Sequence, residues 1–108
     1  MSDIRKIELY DGNTHCGEVE LTLIVGRSTL IIKYVDSEGR SGELSGHDFF
    51  YILSDLRKEY NNIGFKLLCK GALLNVFSGG LTSESSHGEL AYQIDEYSGS
   101  KVVVYIFD

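Results

Sequence analysis

Phe49, Ile52, Leu53, Leu56 and Tyr60 recur at helical spacing within about a 100° arc, while the rest of the 108-residue chain reads as strand and turn. That imbalance restricts the fold. The apolar stripe of a lone helix has no second helix to bury against, so it must pack on a sheet. Ser45 or Gly46 is placed to cap this helix, and Asp48 then falls in the first turn, where the helix dipole favours negative charge. Asn61, Asn62 and Gly64 end it, since these residues tolerate the left-handed backbone of a C-terminus.

Proline is absent, so glycine and clusters of Asx and Ser punctuate the strands. Asp3 to Tyr10 alternates, with Ile4, Lys6 and Glu8 on one face, and Asp11-Gly12-Asn13 reads as a turn. Glu18 to Leu23 alternates strictly, which marks a half-buried strand. Gly26-Arg27-Ser28 turns the chain into a strand from Thr29 to Val35. Asp36-Ser37-Glu38-Gly39 then leads to a short one around Arg40 to Leu44. Beyond the helix, strands are expected at Phe65 to Cys69, Ala72 to Phe77, Glu89 to Ile94 and Lys101 to Phe107. The turn signals there are Lys70-Gly71 and Tyr97-Ser98-Gly99-Ser100.

The predicted fold is one α+β domain over residues 1–108. It is a mainly antiparallel sheet of about six to seven strands, a meander able to curl into a half-barrel, packed by one central helix. A hydrophobic content of 43% suits one core of this size without staples. Leu30 to Val35 and Val102 to Phe107 are apolar on both faces, although one helix covers only one side. Either the sheet curls on itself or its open face meets another chain. The second option would make a homo-oligomeric adaptor or structural protein.

Charge narrows the partners. Sixteen acidic residues against ten basic ones give a net charge of -6. Phosphate backbones and anionic membranes need clustered Lys and Arg, so neither nucleic acid nor a membrane is an expected partner. An acidic domain is better suited to a basic protein, because long-range attraction speeds encounter. The first residues lack an apolar signal region, and the longest apolar runs are too short to span a bilayer, so a cytoplasmic location is expected. Cys16 and Cys69 are too few for a disulfide framework and lack metal spacing. They are read as reduced thiols, with Cys69 buried.

Each local candidate for chemistry fails on spacing or setting. His15, His47 and His87 have no second ligand at the spacing of a local metal site. His15 and Cys16 are neighbours on extended backbone, where successive side chains point to opposite faces, so a Cys-His nucleophile is disfavoured. Ser83-Glu84-Ser85-Ser86-His87 holds the letters of a hydrolase triad, but without an elbow motif or separate rigid elements to bring them together. Gly79-Gly80 is not followed by a helix able to cradle phosphate. Glu18/Glu20 and Asp95/Glu96 lack the apolar setting that raises a carboxyl pKa for acid catalysis. No catalytic residue, metal or cofactor is expected. A small hydrolase would need the His87 loop and a carboxylate to converge in a cleft.

The loop from Ser78 to Gly88 is longer than the fold requires, and loops of that length often carry function. Just before and through it runs Leu67-Leu68-Cys69-Lys70-Gly71-Ala72-Leu73-Leu74-Asn75-Val76-Phe77-Ser78-Gly79-Gly80-Leu81, followed by Ala91-Tyr92 and a terminal Ile106-Phe107-Asp108. These segments resemble a group of small bacterial proteins encoded beside polymorphic toxin genes, including contact-dependent growth inhibition systems. The sequence has Leu73 and Leu74 where that group favours polar or basic residues, and Ser78 where proline is usual, so no residue role is carried over. The resemblance implies a cognate immunity protein that binds and neutralises a toxin domain, commonly a basic nuclease, and that can also be a dimer. From exposure and charge alone, the expected contact residues are Tyr51, Asp55 and Glu59 on the outer helix face, joined by Glu84 and Glu89.

Overall fold

A computed structural model of the chain describes residues 2–69, 76–77, 89–94 and 97–108. Strand β1 (Ser2–Asp11) is followed by β2 (Thr14–Val25), and the two pair antiparallel down to Asp11 opposite Thr14. The two-residue connection between them uses Gly12 at φ 62°, a left-handed value open to a residue without Cβ. β3 (Leu30–Asp36) and β4 (Ser41–Gly46) continue the meander. Helix α1 (Phe49–Asn62) comes next, and β5 (Phe65–Leu68) returns to pair with β1. The resulting sheet has the order β4-β3-β2-β1-β5 and is antiparallel throughout.

The sheet curls into a half-barrel around α1. The connectivity explains why one helix suffices. α1 leaves the β4 edge and delivers the chain to the β5 edge, so it must cross the whole sheet. Fourteen residues span roughly 21 Å at about 1.5 Å per residue, close to the roughly 19 Å of four strand spacings. Its buried residues are Phe49, Ile52, Leu53, Leu56 and Tyr60, the same five that the periodicity selects. They meet Ile7, Leu9, Val19, Leu21, Leu23 and Ile32, which alternate onto the concave face of the sheet.

A second sheet, β6 (Val76–Phe77), β7 (Leu90–Ile94) and β8 (Lys101–Tyr105), has the order β6-β7-β8. The described residues therefore form eight strands at the eight segments the sequence marks, divided between a five-stranded and a three-stranded sheet. The expected strand to Phe107 stops at Tyr105. Ile106 and Phe107 instead turn into the core at 0% and 6% exposure, with the Ile106 N–H donating to the carbonyl of Glu89 at 2.9 Å. Ala91 and Cys69 are buried in the same core.

One further expectation is corrected. Neither Ser45 nor Gly46 caps the helix, because both remain in the ladder opposite Ile31 and Leu30. Asp48 is the cap, its side chain accepting from the N–H groups of Phe50 at 2.7 Å and Tyr51 at 3.4 Å. Of the two outcomes left open for the doubly apolar strands, the sheet takes the first and curls. Curling covers the concave face only, so Ile4 on β1 and Val35 on β3 stay 59% and 46% exposed on the convex side. Val102 and Val103 of β8 are likewise more than half exposed.

Candidate functional site

The buried arc of α1 dictates what its outer face presents. Tyr51, Asp55 and Glu59 follow one another at intervals of four residues, so they form a single line along the helix. All three are exposed, Tyr51 at 61%. The Tyr51 ring stands edge-on to Phe50, with centroids 5.6 Å apart and planes at 89°. Phe50 is half-buried, so it braces an aromatic group that would otherwise sample several rotamers. Lys58 is exposed on the same outer face, so the result is an aromatic beside two carboxylates and one cation.

Glu84 lies outside the described residues. Glu89 is placed in a different setting from the helix acids. Its Oε1 accepts from the Tyr105 hydroxyl at 2.6 Å and faces Arg5 Nη2 at 3.4 Å, while Arg5 Nε donates to the Tyr105 oxygen at 2.6 Å. Burial and the hydrogen bond to Glu89 push the Tyr105 phenol above its ordinary value. This triad ties β1 to the second sheet through side chains, and the Glu89 charge is spent inside it.

Another polar cluster also fastens the fold. Asp36 is buried, and its carboxylate accepts from the Tyr60 hydroxyl at 2.9 Å, from Arg40 Nη1 at 3.2 Å, and from the N–H groups of Glu38 and Arg40 at 2.9 Å each. Burial alone would raise its pKa, but the hydrogen bonds from Tyr60, Arg40 and Glu38 outweigh it and hold the carboxyl below its usual range. Arg40 also lies over the Phe65 ring at 4.5 Å. With four donors already on two oxygens, Asp36 has no vacant position for a substrate.

A cleft of ≈ 790 Å³ is bounded by the β1–β2 turn, the last turns of α1 and β5. Phe65 and Leu68 give it apolar walls, Tyr10, Asn13 and Asn61 add neutral polar groups, and Arg57 and Lys66 supply its charge. The Nε of Arg57 is buried and has no hydrogen-bond partner. Sequence reasoning passed over this cleft because its lining comes from three separate segments. The available signal was Arg57 itself, a cation at the margin of the buried helical arc.

The His15 ring contacts the Glu8 carboxylate on the exposed surface. Cys16 donates through Sγ to the Leu9 carbonyl at 3.4 Å, and burial pushes its thiol up rather than down, the opposite of an activated nucleophile. His87, Ser83 and the rest of the 78–88 loop lie outside the described residues, as do Asp95 and Glu96. Among the described residues, no three His, Cys, Asp or Glu side chains are grouped to hold a metal ion. No helix among them is long and apolar enough to cross a membrane. Comparison with protein-family models finds no match, and comparison with curated proteins finds none.

Proposed function

We propose that this chain is a protein-binding inhibitor: a cytoplasmic immunity protein that holds a cognate toxin domain, a basic nuclease, against the outer face of α1. The observation that carries this reading is the exposed line of Tyr51, Asp55 and Glu59, in which an aromatic braced by Phe50 sits beside two carboxylates. Tyrosine is enriched among the residues that dominate interface energies, and acidic groups beside it draw a basic surface into register. The net charge of -6 and the resemblance around Leu67 to Leu81 point the same way.

The test in cells is protection. Co-expression of the full chain with the C-terminal domain of the protein encoded immediately upstream is expected to restore growth. Killing that proceeds unchanged in the presence of folded, abundant chain sinks the reading.

Exposed Ile4, Val35, Val102 and Val103 favour a second reading, self-association. Sedimentation separates the two. A monomer that forms a one-to-one complex supports inhibition alone, whereas a concentration-dependent dimer without the toxin supports assembly.

A further inference from the structure

The cleft beside the last turns of α1 combines features that the proposed inhibitor surface does not use. In a chain of net charge -6, the charged residues that line it, Arg57 and Lys66, are both cations. Arg57 Nε is buried without a partner. Native folds satisfy roughly nine in ten buried polar groups, and an orphan on a cation is costlier than one on a neutral amide. Among the described residues no carboxylate pairs with Arg57, so its positive charge is left uncompensated beside the cleft.

We infer that the cleft binds a small organic carboxylate. Its aromatic or aliphatic body lies against Phe65 and Leu68, and its carboxylate pairs with the Arg57 guanidinium. A guanidinium presents its donors in a planar fork that matches a carboxylate, and Lys66 adds a second positive charge at the rim. The volume of ≈ 790 Å³ falls within the roughly 300–1,000 Å³ of small-molecule sites. Inorganic phosphate fits less well, because apolar walls offer little to a compact, strongly hydrated dianion. Tyr10, Asn13 and Asn61 supply neutral hydrogen-bonding groups that can orient substituents. Among the described lining residues there is no carboxylate to repel such a ligand. On the helical wheel Arg57 and Asn61 occupy the flank opposite Asp55 and Glu59, so this site is separable from the inhibitor surface.

The full chain is titrated with 1-naphthoate, decanoate, neutral 1-naphthamide and inorganic phosphate, followed by backbone amide NMR shifts. Saturable shifts are expected with the two carboxylates at residues 10–13 and 57–68, and at least about tenfold weaker binding with the amide. Arg57→Gln is expected to weaken naphthoate binding by about tenfold or more, since it removes a charge-assisted hydrogen bond. Lys66→Gln weakens it less, and Lys101→Gln, a change to an exposed cation on β8, leaves it unchanged. If Arg57→Gln does not fold, Arg57→Lys supplies the reading, keeping the charge and losing the fork. The inference is overturned if neither carboxylate perturbs the cleft residues, if the folded Arg57 variant binds as tightly as the native chain, or if phosphate saturates the site at least as tightly as naphthoate.

Discussion

The hydroxyl of Tyr60, in the last turn of α1, donates a 2.9 Å hydrogen bond to Oδ2 of Asp36, at the start of the β3–β4 turn. A helix that crosses the sheet is thereby locked to the turn it passes, and the buried carboxylate gains a donor that solvent does not supply. Tyr60→Phe preserves the ring and its edge-on contact with Tyr34, yet leaves Asp36 short of one partner. A loss of about 2 kcal/mol in unfolding free energy is expected, in the range of hydrogen bonds to charged groups, measured by urea denaturation. A change below about 0.5 kcal/mol, the level of an unimportant surface site, would show that this bond does not fasten the helix.

Asp36 also sets a pH dependence. Its carboxyl is held below the ordinary range when folded, so at acid pH the unfolded chain binds the extra proton. The stability it contributes is complete above the unfolded value of about 3.9 and is lost as pH falls through the lower folded value. Asp36→Asn is expected to be less stable at pH 7 and to show a shallower acid limb, read from denaturation midpoints between pH 2 and 6. An acid limb of native steepness in that variant would assign the effect to other carboxylates.

The helix cap offers a test between neighbours. Asp48→Ala removes the acceptor for the Phe50 and Tyr51 N–H groups and should cost about 1 kcal/mol or more. Ser45→Ala, in the β4 ladder, should stay within about 0.5 kcal/mol of the native chain. The reverse order would restore Ser45 as the cap.

Glu89 separates stability from recognition. Glu89→Gln takes the matching charge from the part-buried Arg5 and weakens the bond from Tyr105, so it should lower stability by about 1 kcal/mol. The rate of toxin association should hardly change. Slower association with intact stability would return Glu89 to the interface.

These cases show which parts of the fold were legible. The buried arc from Phe49 to Tyr60 and the turn at Gly12 are local patterns, set by residues within a few positions of one another, and both were read correctly. The helix cap was misplaced because pairing with Leu30 and Ile31, far back in the chain, keeps Gly46 and Ser45 in a strand. Asp36 read only as a turn former, since its partner Tyr60 is twenty-four residues away. Glu89 read as a free surface acid because Arg5, eighty-four residues earlier, leaves no local trace. Tyr51, Asp55 and Glu59 were identifiable as exposed once the buried arc was known. The cleft around Arg57 was not, because it exists only where β5 returns beside β1.

The outer helix face can be altered without touching the core. Tyr51→Ala is expected to leave stability within about 0.5 kcal/mol and to weaken toxin binding by tenfold or more. Asp55→Asn with Glu59→Gln should mainly slow association and flatten its salt dependence.

Titration calorimetry of the full chain against the C-terminal domain of the upstream-encoded protein, at low and high salt, bears most directly on inhibition by binding. A tight one-to-one complex, weakened at least tenfold by Tyr51→Ala and formed more slowly as salt rises in a parallel stopped-flow trace, is the expected result. No heat of binding at either salt concentration, with both proteins folded, contradicts it.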